Sequence, residues 1–182
     1  MKTGQFILTL FASLITMSNA IAGGFSIQSQ DLADGHFNDA QVSGSFGCHG
    51  GNISPAISWS GEPAGTQSFL VTMYDRDAPT GSGFWHWVVA NLPASVHTLA
   101  PGAGTDASKL PEGAMAVRND TGKTGYLGPC PAEGESHRYV ITVAALRVPN
   151  LPVDNTATPA VVGFVAHYQE LAKAAMTVQY AR

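Results

Sequence analysis

The sequence predicts a mainly β domain, an antiparallel sandwich with one helix near its C-terminus. Three observations predict it. Short runs rich in Val, Ile, Phe, Tyr and Trp recur along the chain. They are separated by frequent Gly and Pro, 20 and 11 in all, as strands are by turns. Helical spacing of apolar residues occurs once, after Thr158. With 182 residues, 45% of them hydrophobic, the chain can bury one domain's core.

The elements follow in order. Lys2, the apolar run Phe6–Ile15 and Ala20-Ile21-Ala22 read as a secretory signal peptide over residues 1–22, cleaved after Ala22. The run is shorter than the roughly 20 residues of a membrane span, and no Cys follows for lipid attachment. The mature domain is therefore expected over 23–182, without stable membrane insertion. Ile53–Trp59 reads as an edge strand, because Pro55 cannot donate to a ladder. Ser68–Tyr74 is apolar nearly throughout and predicts a central strand buried on both faces. Phe84–Ala90 is a second strand, ended by Asn91-Leu92-Pro93. Asn91–Glu112 reads as a long surface loop with a short strand at most. Ala114–Arg118 is a further short strand, and Arg138–Leu146 a long one. Thr158 is a good N-cap and Pro159 suits the first helical turn. Val161, Phe164, Val165, Tyr168, Leu171, Ala172 and Ala175 then share one helical face. Met176–Tyr180 alternates as a closing strand.

Charge excludes one class of function. Charged residues make up 12% of the chain and the net charge is −4, so nucleic acid is not the expected partner. Cys48 and Cys130 form an even pair, which in an exported chain reads as one disulfide. Two free buried thiols and a catalytic Cys are the competing readings. A bridge closing so long a loop contributes about 4–5 kcal/mol by chain entropy.

Four clusters could carry chemistry: Gly51–Trp59, Asp75-Arg76-Asp77-Ala78-Pro79, Trp85-His86-Trp87, and Gly125–Pro131 followed by His137-Arg138-Tyr139. Strand alternation puts His137, Tyr139, Ile141 and Val143 on one face. It puts His86 with Phe84, Val88 and Ala90. Asp75 and Asp77 point the same way if the backbone stays extended. Each cluster also has a plain structural reading. Asp77 suits a turn that bonds its own backbone, His86 a core histidine with one hydrogen bond, and the Trp residues ordinary packing.

Taken together, in this order and spacing, the four clusters resemble the phosphatidylethanolamine-binding proteins, also called Raf kinase inhibitor-like proteins. The likeness runs from Asn52 to the C-terminal helix. The export segment and the Cys before Asn-Ile-Ser-Pro resemble the exported bacterial branch. The resemblance implies two antiparallel sheets in a Greek key with small peripheral helices, and a shallow anion-binding pocket. Carried over, the pocket takes Asp75, Asp77, His86, Gly128, Pro129, His137 and Tyr139. Arg76 stands where the family has Pro, and Cys130 alters the Gly-Pro loop. Imidazole, phenol and the N–H groups of a Gly-rich turn suit phosphate oxygens, with Gly128 admitting close approach. The carboxylates suit a ligand's ammonium, or hold a protonated imidazole.

A small phosphate-bearing ligand in a periplasmic, non-catalytic protein is thus expected, with no cofactor and no metal. The Ser-hydrolase elbow, the P-loop and the dinucleotide fingerprint are absent from the sequence. Two alternatives remain. One is a protein-interaction module that modulates a kinase, a protease or a host pathway, with a homodimer left open. The other is a metal-dependent hydrolase using His86, His137 and the Asp pair.

Overall fold

Alternation along the strands builds two antiparallel sheets. The computed structural model describes residues 24–182; the export segment expected over 1–22 lies outside them. The strands are β1 (Ser26–Gln28), β2 (Ile57–Ser60), β3 (Ser68–Asp75), β4 (Phe84–Pro93), β5 (Thr98–Leu99), β6 (Met115–Val117), β7 (Ser136–Leu146) and β8 (Glu170–Ala181). One helix, α1 (Pro159–His167), lies between β7 and β8. The small sheet runs β1-β2-β5 and the large sheet β6-β4-β3-β7-β8. Within the latter, β7-β3-β4-β6 is the spatial order of a Greek key, since β7 returns to lie beside β3.

The large sheet is buried on both faces around its centre. Phe69, Val71 and Met73 of β3 join Trp87 and Val89 of β4 and Ile141 and Val143 of β7 on the inner face. They pack against Ile57, Trp59 and Leu99 of the small sheet. On the outer face Leu70, Val88, Ala144 and Leu146 are covered by Leu151 and by Val162 and Ala166 of α1. This double burial explains the near-continuous apolar run in β3.

Several expectations are met and several are corrected. The long connection holds β5 and a 3-10 turn at Ala107–Lys109. The strand expected from Ile53 starts only at Ile57, because Pro55 has no N–H to offer and Asn52 turns the chain with φ +52°. β4 does not stop at Ala90: Asn91 takes φ +60° as an extra residue, and the strand resumes to Pro93. β1, three residues long, carries too little pattern to be read beforehand. The helix expected to reach Ala175 stops at His167. Thr158 Oγ1 accepts from the N–H of Val161, as expected of an N-cap, but Leu171, Ala172 and Ala175 lie in β8, which pairs along the whole of β7. Eleven cross-strand partners outweigh two further helical turns. The expected apolar face also turns outward: Val161, Phe164 and Tyr168 are exposed, while Pro159, Val162 and Ala166 are buried.

Candidate functional site

The site forms where β3 ends and β4 and β7 begin. Asp75 and Tyr139 are direct cross-strand partners, and His137 lies two residues earlier on the same face of β7. His86 arrives by a different route. Met73 pairs with Trp87 and Tyr74 with Trp85, so β4 carries one extra residue there, a bulge at His86. The bulge turns His86 inward beside Phe84, whereas Val88 and Ala90 stay on the outer face. Plain alternation, which placed these four together, fails at that residue.

The side chains line a cavity of about 300 Å³. Its floor holds Asp75, His86, His137 and Tyr139, all buried. Its walls include Phe46, Pro79, Phe84, Leu127 and Pro131, and Gly128, Cys130 and Glu135 complete it.

Asp75 organises the floor. Oδ1 accepts from the N–H groups of Asp77 (2.9 Å) and Ala78 (3.1 Å). Oδ2 accepts from His137 Nδ1 at 2.7 Å, and His86 Nε2 stands 4.0 Å away. The other ring nitrogen of His137 reaches Glu135 Oε2 at 3.1 Å. Burial disfavours a charged His137, but the hydrogen bond and charge of Asp75, then those of Glu135, outweigh it and raise its pKa. Both nitrogens therefore donate, as in an imidazolium. His86 is opposite in sign. Burial lowers its pKa, against the partial support of the Leu127 carbonyl and Asp75. Its Nδ1–H donates to that carbonyl at 2.9 Å, which leaves Nε2 toward the cavity. Tyr139 is fully buried, and its hydroxyl has no hydrogen-bond partner within 3.5 Å, although the Asp75 carboxylate lies near enough to act on it as a weak acceptor. Burial first, and then the charge and hydrogen-bonding pull of Asp75, hold that phenol protonated.

The expected residues thus divide. Asp75, His86, Gly128, His137 and Tyr139 line the cavity, while Asp77 and Pro129 do not. The backbone turns at Asp75, and Asp77 forms a two-pronged pair with Arg138, Nε to Oδ2 at 2.8 Å and Nη2 to Oδ1 at 2.6 Å. Arg138 holds the Asp77 carboxyl well below the usual carboxylate range. The four metal ligands of the hydrolase alternative therefore do not converge, and among the described residues no group of three or more His, Cys, Asp or Glu is placed to hold a metal ion. Gly128 also differs in role from the expectation. Its N–H donates to Asn52 Oδ1 at 2.8 Å, and a Cβ there would collide with the backbone of Gln41–Ser43. Packing alone therefore requires glycine there. Pro129 is buried, and its carbonyl accepts from Ser43. Glu135 and Phe46 were missed. Glu135 sits outside any run with a pattern, and Phe46 belongs to a loop tied to the cavity wall by the bridge between Cys48 and Cys130, whose sulfurs are 2.01 Å apart.

Comparison with known proteins places this arrangement. A family model described as phosphatidylethanolamine-binding protein matches residues 29–181. The chain is 48% identical over 153 residues to the UPF0098 protein YbhB of Escherichia coli K12, covering 84% of this chain and 97% of that one. It is 44% identical over 183 residues to the UPF0098 protein YbcL of the same organism, covering 99% and 98%. The crystal structure of YbcL, described as a new member of the mammalian PEBP family, superposes with TM-score 0.85 over 88% of this chain and 99% of that one. The PEBP homologue CT736 of Chlamydia trachomatis superposes with TM-score 0.68 at 27% identity, covering 87% and 98%.

Proposed function

Because the chain belongs to the phosphatidylethanolamine-binding protein family, we propose that it is an exported binding protein whose cavity takes a phosphate-bearing ligand without transforming it. The observation that carries this reading is a cavity floor that brings together His86, His137 and Tyr139, the last with a buried hydroxyl that lacks a close hydrogen-bond partner. An unpaired buried polar group is costly, and a phosphate oxygen would accept from the phenol, and from His86 Nε2 once that ring takes up a proton.

The charges say how the anion would be tolerated. Asp75, Glu135 and the His137 imidazolium leave the floor acidic. An incoming anion favours protonation of His86, whose folded pKa lies below its ordinary value near 6.5. Affinity therefore rises as pH falls toward that pKa. Asp75 and Asp77 hold His137 and Arg138 closely, so a ligand's ammonium would be read by Glu135, the most exposed of the three carboxylates and the more distant of His137's two partners.

Export is supported by the Lys2-to-Ala22 pattern and by the disulfide, which persists in an oxidising compartment such as the periplasm. Among the described residues no helix is long and apolar enough to cross a membrane.

Calorimetric titration tests the reading. Sulfate, whose charge is constant over pH 5–8, serves beside inorganic phosphate and phosphoethanolamine. Binding should be saturable, strengthen for sulfate by up to about tenfold per pH unit as pH falls, and disappear in His86→Ala. Sulfate affinity that is flat between pH 5 and 8, or kept in the variant, refutes it.

A further inference from the structure

The lip of the cavity carries an aromatic side chain in an unusual state. Phe46 lines the cavity, yet 69% of its surface is exposed. Its φ is +58°, a left-handed conformation that bulky residues rarely adopt, and Gly47 follows at φ +81°. The segment around it is pinned at several points. The Ser43 N–H donates to the Pro129 carbonyl at 3.1 Å, and the Gly50 N–H to the Ser43 carbonyl at 2.9 Å. Arg182 Nη2 donates to the Gly47 carbonyl at 2.8 Å. Cys48 is bonded to Cys130, itself part of the cavity wall.

A loop tied down at its ends and apex, with a strained backbone, holds one apolar ring out over a polar floor. Strain of this kind persists only where the surroundings enforce it, and here the enforcing contacts are the bridge and Arg182. The ring, exposed over most of its surface, has little apolar cover of its own. It gains apolar contact when a ligand fills the space between it, Phe84, Pro79 and Pro131.

From this geometry we infer that Phe46 is a specificity-determining lip, positioned by the Cys48–Cys130 bridge, which makes the cavity select phosphomonoesters bearing a flat apolar substituent over inorganic phosphate. The inference rests on the phosphate reading above. The phosphate sits on the floor at Tyr139 and His86, and the substituent points outward between Phe46 and Phe84. Reduction of the bridge frees the loop and removes the substituent's contact without touching the floor. Affinity for such esters is therefore linked to the oxidation state of the two cysteines, while affinity for bare phosphate is not.

Calorimetry with phenyl phosphate and inorganic phosphate tests this on the oxidised protein, Phe46→Ala and the Cys48→Ser/Cys130→Ser double variant. The oxidised protein should bind phenyl phosphate about tenfold tighter. Phe46→Ala should lower that preference, read as the ratio of the two affinities on the same protein, to within about twofold, and the double variant should lose part of it. Equal affinities in the oxidised protein, or an undiminished preference in Phe46→Ala, overturns the inference. Phenol separates the two ideas, since it carries the ring without the phosphate. Phenol that shifts the Phe46 ring resonances while neither phosphate binds upholds the lip and removes the phosphate reading; no shift with any of the three ligands removes both.

Discussion

Tyr139 sets the proposed binding role against stability in a single atom. Its hydroxyl is buried without a close hydrogen-bond partner, so Tyr139→Phe should melt at or above the temperature of the parent while, on the proposed reading, losing about tenfold or more in phosphate affinity, as expected for a lost bond to a charged group. A variant that loses stability and keeps its affinity would show the hydroxyl to be structural. The two aspartates separate in the same way. Asp75→Ala strips His137 and two backbone N–H groups of their acceptor, and should cost about 3–5 kcal/mol in denaturant unfolding. Asp77→Ala breaks an exposed pair with Arg138, of a kind that contributes little, and should leave sulfate affinity unchanged. The sequence shows both as acidic residues after a strand. It does not show that Asp75 accepts from the N–H of Asp77 and thereby turns the second carboxylate away. Residue types were legible here, because chemistry is written in the letters. Side-chain direction past the end of a strand depends on a local hydrogen bond that the letters only permit.

Elements were legible in proportion to their length and periodicity. β3 and β7 stand out because burial on two faces and regular alternation leave strong patterns. The bulge at His86 leaves none, since an added residue looks like any other in the sequence. It is nonetheless what turns His86 into the cavity. Gly128 lay in a recognisable loop, but its need for glycine comes from the distant Gln41–Ser43 backbone. The C-terminal segment misled for a different reason. Ala, Leu and Val suit both a helix and a strand, and the choice at Glu170 was made by the free edge of β7. The same competition reversed the expected face of α1. Val162→Ala should therefore destabilise the fold by about 1–3 kcal/mol, whereas Phe164→Ser should stay within about 0.5 kcal/mol. Urea unfolding of the two variants compares them directly; a larger loss in Phe164→Ser than in Val162→Ala would mean that α1 packs on the face the helical spacing suggests.

At the scale of the whole molecule, the site is a product of the Greek key. Asp75 and His137 are 62 positions apart and meet only because β7 returns past β4 and β6 to lie beside β3. The cavity draws its lining from residues as far apart as Phe46 and Tyr139. Pairings this distant are also slow to find, on the order of milliseconds to seconds in β-rich domains. The Cys48–Cys130 bond spans 82 positions and encloses β2 to β6, leaving β7 just beyond its end. A chain that keeps this bond while unfolded has already closed one long loop and has far fewer conformations to search. Refolding from denaturant should accordingly be roughly tenfold faster with the bond intact than in Cys48→Ser/Cys130→Ser, followed by tryptophan fluorescence after rapid dilution. Equal rates would place closure of that loop after the rate-limiting step. The bond then acts as a clock as well as a tie, since the moment of oxidation sets how soon a newly made chain can hold a ligand.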